Sequence, residues 1–203
     1  MQPLILASTS RYRQALLQKL GLPFSSIAPD TDETPHSGES AEQLVLRLAQ
    51  AKAASVAKQV DQGWVIGSDQ VCAVDERILG KPGSHAQAVL QLRTLSGRAA
   101  TFYTGLCLWD AARQQYQLTM EPFVVHFRTL SDTVIENYLQ QEQPYDCAGS
   151  FKSEGLGICL FNRFEGRDPN TLIGLPLMAL TDMFLAWGVA LPQVKPLTTK
   201  SSA

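Results

Sequence analysis

Cysteine and histidine are scarce in this chain of 203 residues, with four cysteines (72, 107, 147, 159) and three histidines (36, 85, 126). No C-x-x-C spacing occurs and the histidines stand apart from the cysteines, which argues against a structural zinc site built on closely spaced ligand pairs. Cys72, Cys107 and Cys159 lie in apolar runs and read as buried, reduced thiols, which fits a reducing cytoplasm. Long apolar runs are missing too. None reaches the roughly 18 residues of a membrane span, and the first residues lack the basic and apolar regions of a secretory leader. Basic charge is not in excess: 17 Lys and Arg against 19 Asp and Glu give a net charge of −2. That excludes the global basic character that holds a nucleic-acid polymer. Neither G-x-x-x-x-G-K-[ST] nor G-x-G-x-x-G is present, so the two common glycine-rich phosphate loops are excluded. No repeat or low-complexity segment appears.

What is present is an α/β pattern of mixed strands with helices between them. Residues 3–7 read as a buried strand and Arg13–Leu20 as a helix ended by Gly21 and Pro23. Residues 24–39 read as loop. Ser40 with Gln43 and Ser84 with Gln87 are capping-box patterns; the first opens a helix to about Val60, the second a helix closed at Gly97. Trp64–Asp69 reads as a strand running into a polar end. Residues 99–109 and 117–128 alternate as two strands joined near Ala111–Gln115. Ser131 caps a helix through Val134, Ile135, Tyr138 and Leu139. Gly157–Phe161 reads as a strand, and Pro176 opens a last helix ended by Gly188. The tail 192–203 is polar and reads as disordered.

Six segments, and Lys52 on its helix, carry chemistry-bearing side chains. Leu4–Arg13 runs from an apolar strand through Ser8-Thr9-Ser10 into a helix start with two arginines and Tyr12. Free N–H groups, hydroxyls and guanidinium groups there suit an anion, taken as a nucleotide phosphate, with Tyr12 bearing on the base. Gly67-Ser68-Asp69-Gln70 places a carboxylate at a strand end, where α/β sheets bind ligands; alone, the motif reads first as a turn cap. Gly80-Lys81-Pro82 holds a lysine in a rigid turn, and Lys52 borders the apolar face of its helix; either could be an ordinary surface charge. Ala148–Gly155 offers small residues, Lys152 and Glu154, as an ordinary loop also does. Glu165–Thr171 offers Arg167 and Asp168, the latter equally a turn residue or an arginine partner. Asp30, Asp32 and Glu33 are either a solvated loop or part of a metal site. Glu33 and Asp69 together could share a hard cation such as Mg²⁺.

The order of these segments resembles the Maf family of nucleoside triphosphate pyrophosphatases over about residues 3–190. The matching residues are Leu-Ala-Ser-x-Ser-x-x-Arg at 6–13, Asp-Glu at 32–33, Lys52, Gly-Ser-Asp at 67–69, Gly-Lys-Pro at 80–82, Lys-x-Glu at 152–154 and Ile-Gly-Leu-Pro at 173–176. The resemblance implies one domain over 1–191, with an elongated mixed sheet, flanking helices and two lobes around a central cleft, as in inosine triphosphate pyrophosphatases. It implies hydrolysis of a nucleoside triphosphate to the monophosphate and pyrophosphate, a divalent metal (Mg or Mn) held by Glu33 and Asp69, a cytoplasmic location and often a homodimer. Asp69 is implied as the proton acceptor, with Lys52 and Lys81 as catalytic cations and Ser8, Arg13, Lys152 and Asp168 on the substrate.

Three positions depart from the commoner family pattern. Tyr12 stands where an arginine is usual, Gln70 follows the Gly-Ser-Asp, and Glu154 replaces a glutamine. These substitutions resemble the subgroup that prefers 7-methyl-GTP over dTTP and UTP. The chemistry agrees: N7-methylation makes guanine cationic, and an aromatic face attracts a cation by about 0.5–2 kcal/mol. A carboxylate at Glu154 accepts from the N1–H and N2–H edge, and Gln70 offers a donor and an acceptor. Two other readings stay open, a dTTP/UTP pyrophosphatase and a non-catalytic regulator of septum formation.

Overall fold

One seven-stranded sheet, in the order β2-β1-β3-β5-β6-β7 with β4 also on β3, organises the computed structural model, which describes residues 2–75 and 77–193. The strands are β1 (Leu4–Leu6), β2 (Ser25–Ser26), β3 (Trp64–Val74), β4 (Arg77–Leu79), β5 (Ala99–Asp110), β6 (Gln115–Phe127) and β7 (Phe161–Glu165). The helices are α1 (Arg11–Gln18), α2 (Ala41–Ala57), α3 (His85–Leu95), α4 (Asp132–Glu142), α5 (Pro169–Ile173) and α6 (Leu177–Ala186). β1 pairs in parallel with β2 and β3, and the other pairings are antiparallel. The fold is therefore mixed α/β with helices flanking the sheet, as expected.

The long strands β3 and β5 pair continuously from Trp64↔Asp110 to Ala73↔Thr101. Alternation along β5 sends one row of side chains to two different cores. Ala100 and Phe102 pack with α3, α4, Phe151 and Phe161. Leu106 and Leu108 pack with β1, α1 and α6. Thr104 sits between the two, fully buried. The opposite face of the sheet is covered by α2, whose start carries both bonds of the Ser40–Gln43 capping box.

Four expectations need correction. β3 does not end at Asp69 but continues through Val71-Cys72-Ala73-Val74, and Asp69 lies in mid-strand. The polar pair Asp69-Gln70 marks a place where one edge of β3 changes partner. β1 pairs only up to Ile66 and β4 only from Cys72, leaving the stretch between them without a ladder on that edge. Residues 157–160 are not a strand but a 3-10 helix (Leu156–Leu160), with β7 following; a short apolar run does not distinguish the two. Asp168-Pro169 opens a short helix, α5, which the turn-rich composition concealed. Cys159 is exposed, whereas Cys72 and Cys107 are buried. Of the tail 192–203, residues 194–203 lie outside the described residues. Among the described residues, no helix is long and apolar enough to cross a membrane.

Candidate active site

A cleft of about 840 Å³ opens along the unladdered edge of β3, between the two cores. Its lining gathers residues from every segment singled out above except 165–171, among them Ser8, Arg13, Glu33, Lys52, Asp69 and Lys81. Tyr12, Gln70, Lys152 and Glu154 line it as well. Two glycines explain how its floor is assembled. A Cβ on Gly67 would strike the Ala49 carbonyl and come within 2.7 Å of Ala53 N; one on Gly105 would strike the Val45 carbonyl. With no side chain at either position, α2 lies directly on β3 and β5. That approach carries Lys52 to Asp69, which faces α2 in the same row as Gly67.

Lys52 Nζ lies 2.7 Å from Asp69 Oδ1 and 2.6 Å from Glu33 Oε1. Lys52 and Asp69 are almost wholly buried, while Glu33 is well exposed. Burial works against ionisation of Glu33, but the hydrogen bond and charge of Lys52, then Lys81 and Arg13, outweigh it and hold its carboxyl below the usual range. Arg13 donates from Nε to the Gly174 carbonyl at 2.9 Å, and Ser68 Oγ lies 3.0 Å from the same oxygen. Burial lowers the Arg13 pKa, opposed by the charges of Asp69 and Glu33. Ser8 is buried and accepts from Ser10 N at 3.1 Å, and Ser10 caps α1.

The loop carrying Glu33 is tied to α2. Arg47 bonds both oxygens of Glu39, at 2.6 and 2.7 Å, and reaches the Thr34 carbonyl at 3.1 Å. Opposite this wall, Lys152 Nζ is held by the Glu142 carbonyl at 3.0 Å, beside the Glu142 carboxylate. Burial opposes its charge, yet Tyr12, Cys147 and Glu142 leave its pKa raised. Cys147 is pushed up to about 12 by burial, then by Asp146, against the opposing effects of Lys152 and Tyr12. Tyr12, on α1, lines the cleft together with Asp146, Cys147 and Lys152. The Arg11 guanidinium carbon lies 5.1 Å from the Tyr12 ring centroid, and Arg11 Nη2 donates to the Tyr12 hydroxyl at 3.1 Å.

Two expectations change. Asp168 is not on the cleft. It is buried, caps α5, and accepts from Asn170 N, Asn170 Nδ2 and Met178 N at 2.8, 2.6 and 2.8 Å. It is a turn residue joining α5 to α6, the alternative its sequence context had left open. Gln70 does not offer a donor. Its Nε2 is bonded to Thr104 Oγ1, Thr171 O and Leu172 O at 2.9, 2.7 and 3.2 Å. Thr104 and Cys147 carry no local signal of a site in the sequence, being a threonine in a strand and a cysteine in a loop, whereas Arg11 is one of the two arginines read at the helix start as suiting an anion.

Among the described residues, no group of three or more His, Cys, Asp and Glu is gathered as a metal site. The donor set nevertheless suits a hard divalent cation, because such ions commonly take one or two carboxylates and complete their shell with phosphate oxygens and water. Glu33 and Asp69 both reach one cation position now taken by the Lys52 ammonium.

The sequence model of the family described as Maf-like protein matches residues 3–187. Among solved structures, the chain is similar to the Staphylococcus aureus Ham1 protein, at a TM-score of 0.45 and 16% identity, over 63% of this chain and 72% of that one.

Proposed function

The chain belongs to the Maf family, in which nucleotide pyrophosphatase activity is general, and from that premise we propose that it hydrolyses 7-methyl-GTP to 7-methyl-GMP and pyrophosphate with a divalent metal. The observation that carries the reading is the buried Asp69 on the cleft floor, ringed by Lys52, Arg13 and Glu33. A carboxylate held there can orient a water molecule and take its proton as the water attacks the α-phosphorus. The αβ-anhydride breaks, and the electron pair leaves with pyrophosphate. Lys81, Lys152 and Arg13 would face the developing negative charge.

The cleft's cations are nearly matched by its own carboxylates, Glu33, Asp69, Asp146 and Glu154. Little surplus positive charge is left for a triphosphate, which supports a divalent cation arriving with it. Glu33 and Asp69 would hold that ion, whose chemistry is to neutralise phosphate charge and acidify water.

The base preference rests on Tyr12. Its ring already has a guanidinium beside it, and a cationic purine would use the same attraction. Glu154 is exposed on the cleft and can accept from the guanine edge. The test is pyrophosphate release with Mg²⁺ or Mn²⁺ from 7-methyl-GTP, GTP, dTTP and UTP. We expect the highest kcat/KM on 7-methyl-GTP. Preference for dTTP and UTP would overturn the substrate, and no release from any nucleotide would favour a binding protein.

A further inference from the structure

We infer that Thr104 is a positioning residue that turns Gln70 into an acceptor for one hydrogen-bond donor of the bound nucleotide. This rests on the cleft being a nucleotide site. Thr171 O and Leu172 O are carbonyls and can only accept, so the atom of Gln70 facing them must be Nε2. A flipped amide would set Oε1 against two carbonyl oxygens. Thr104 locks this choice. Its hydroxyl gives its single proton to Thr171 O at 3.0 Å, so only its lone pairs face Gln70 at 2.9 Å. Thr104 is fully buried, whereas Gln70 lines the cleft. Among the described residues, Oε1 of Gln70 accepts from no donor. The protein has thus used the amide's donor and left its acceptor. The group read there is a donor: a ribose hydroxyl or a base N–H.

Thr104→Val keeps the shape and removes the hydroxyl; Thr104→Ser keeps the hydroxyl. Kinetics would be run on 7-methyl-GTP and on three analogues, lacking the 2′-hydroxyl, the 3′-hydroxyl or the base 2-amino group. If wild type prefers another nucleotide, that nucleotide and its counterparts are used instead, so failure of the substrate reading is separate from failure of this one. We expect Thr104→Val to raise KM about tenfold, the scale of one lost hydrogen bond, with kcat within about twofold. Thr104→Ser should restore KM. The analogue already lacking the donor should show the same KM with wild type and Thr104→Val, and which analogue does so identifies the donor. Should Thr104→Val fail to fold, Gln70→Met removes the acceptor directly and should give the same analogue pattern. A fall in kcat without a rise in KM, or an equal loss on all analogues, would overturn the inference.

Discussion

Lys52 and Asp69 form an ion pair at 2.7 Å with side chains only 6% and 10% exposed. Partners of such a pair are not equivalent under mutation. In Asp69→Asn, Lys52 keeps Glu33, so folding should be largely retained, while kcat falls by about 10²–10⁴, the usual contribution of a general base. In Lys52→Met, Asp69 stays buried without its counter-charge, and the chain should lose about 3–5 kcal/mol. Urea unfolding and pyrophosphate release on both variants check this; a more stable Lys52→Met than Asp69→Asn contradicts it.

Tyr12→Arg removes an aromatic ring from the cleft lining and puts a cation in its place. The proposed preference for 7-methyl-GTP over GTP should fall about two- to thirtyfold, the range corresponding to a surface-to-desolvated cation–π contact. Competition kinetics with the two nucleotides measures it, and an unchanged ratio would show that the ring does not read the base charge.

Asp168→Ala should behave as a folding variant. Its carboxylate satisfies three donors at the α5–α6 junction, so stability should drop by about 2–3 kcal/mol with KM for nucleotide unchanged below the melting transition. A specific rise in KM would return Asp168 to the substrate.

Acid should loosen the loop that carries Glu33. Arg47, chiefly by hydrogen bonding, pulls the Glu39 carboxyl down from the ordinary 4.5 to about 2. Its folded-state pKa is depressed, so its contribution to stability is complete above about 4.5 and is lost as pH falls toward about 2. The Glu39→Gln variant should lack this part of the slope. Thermal melts of both proteins between those two pH values test it; parallel curves would rule it out.

Gly67→Ala is expected to be costly at a position with no chemistry of its own. The new methyl group would push α2 off the sheet, costing about 1–3 kcal/mol by overpacking and drawing Lys52 away from Asp69. Activity should therefore fall more than stability at a temperature where the variant is folded.

Much of the fold was legible from punctuation and period. Ser40, Ser84 and Ser131 each accept from the backbone N–H three residues on. β5 and β6 lie within a residue or two of their alternating patterns. Asp69-Gln70 misled because polar residues usually end a buried strand; here they mark a gap in the ladder, which depends on where β1 and β4 stop. Gln70 misled in another way. Residue type offers both halves of an amide, and the distant Thr171 and Leu172 carbonyls, together with the Thr104 hydroxyl that donates to the first of them, decide which half remains. Asp168-Pro169 held a legible cap and first-turn proline, outweighed by the surrounding turn composition.

The row along β5 that serves both cores has a mechanical consequence. Ala100 and Phe102 belong to one core, Leu106 and Leu108 to the other, and β3 is laddered to β5 through the whole interval. Among the described residues no linker separates the halves, and the unbroken β3–β5 ladder ties one to the other. A nucleotide entering the cleft meets a braced frame. Any tightening around it must come from segments outside the sheet, the Glu33 loop on one side and the 146–154 wall on the other. Affinity and turnover should therefore respond more to mutations that stiffen those two segments than to mutations that soften the strands between them.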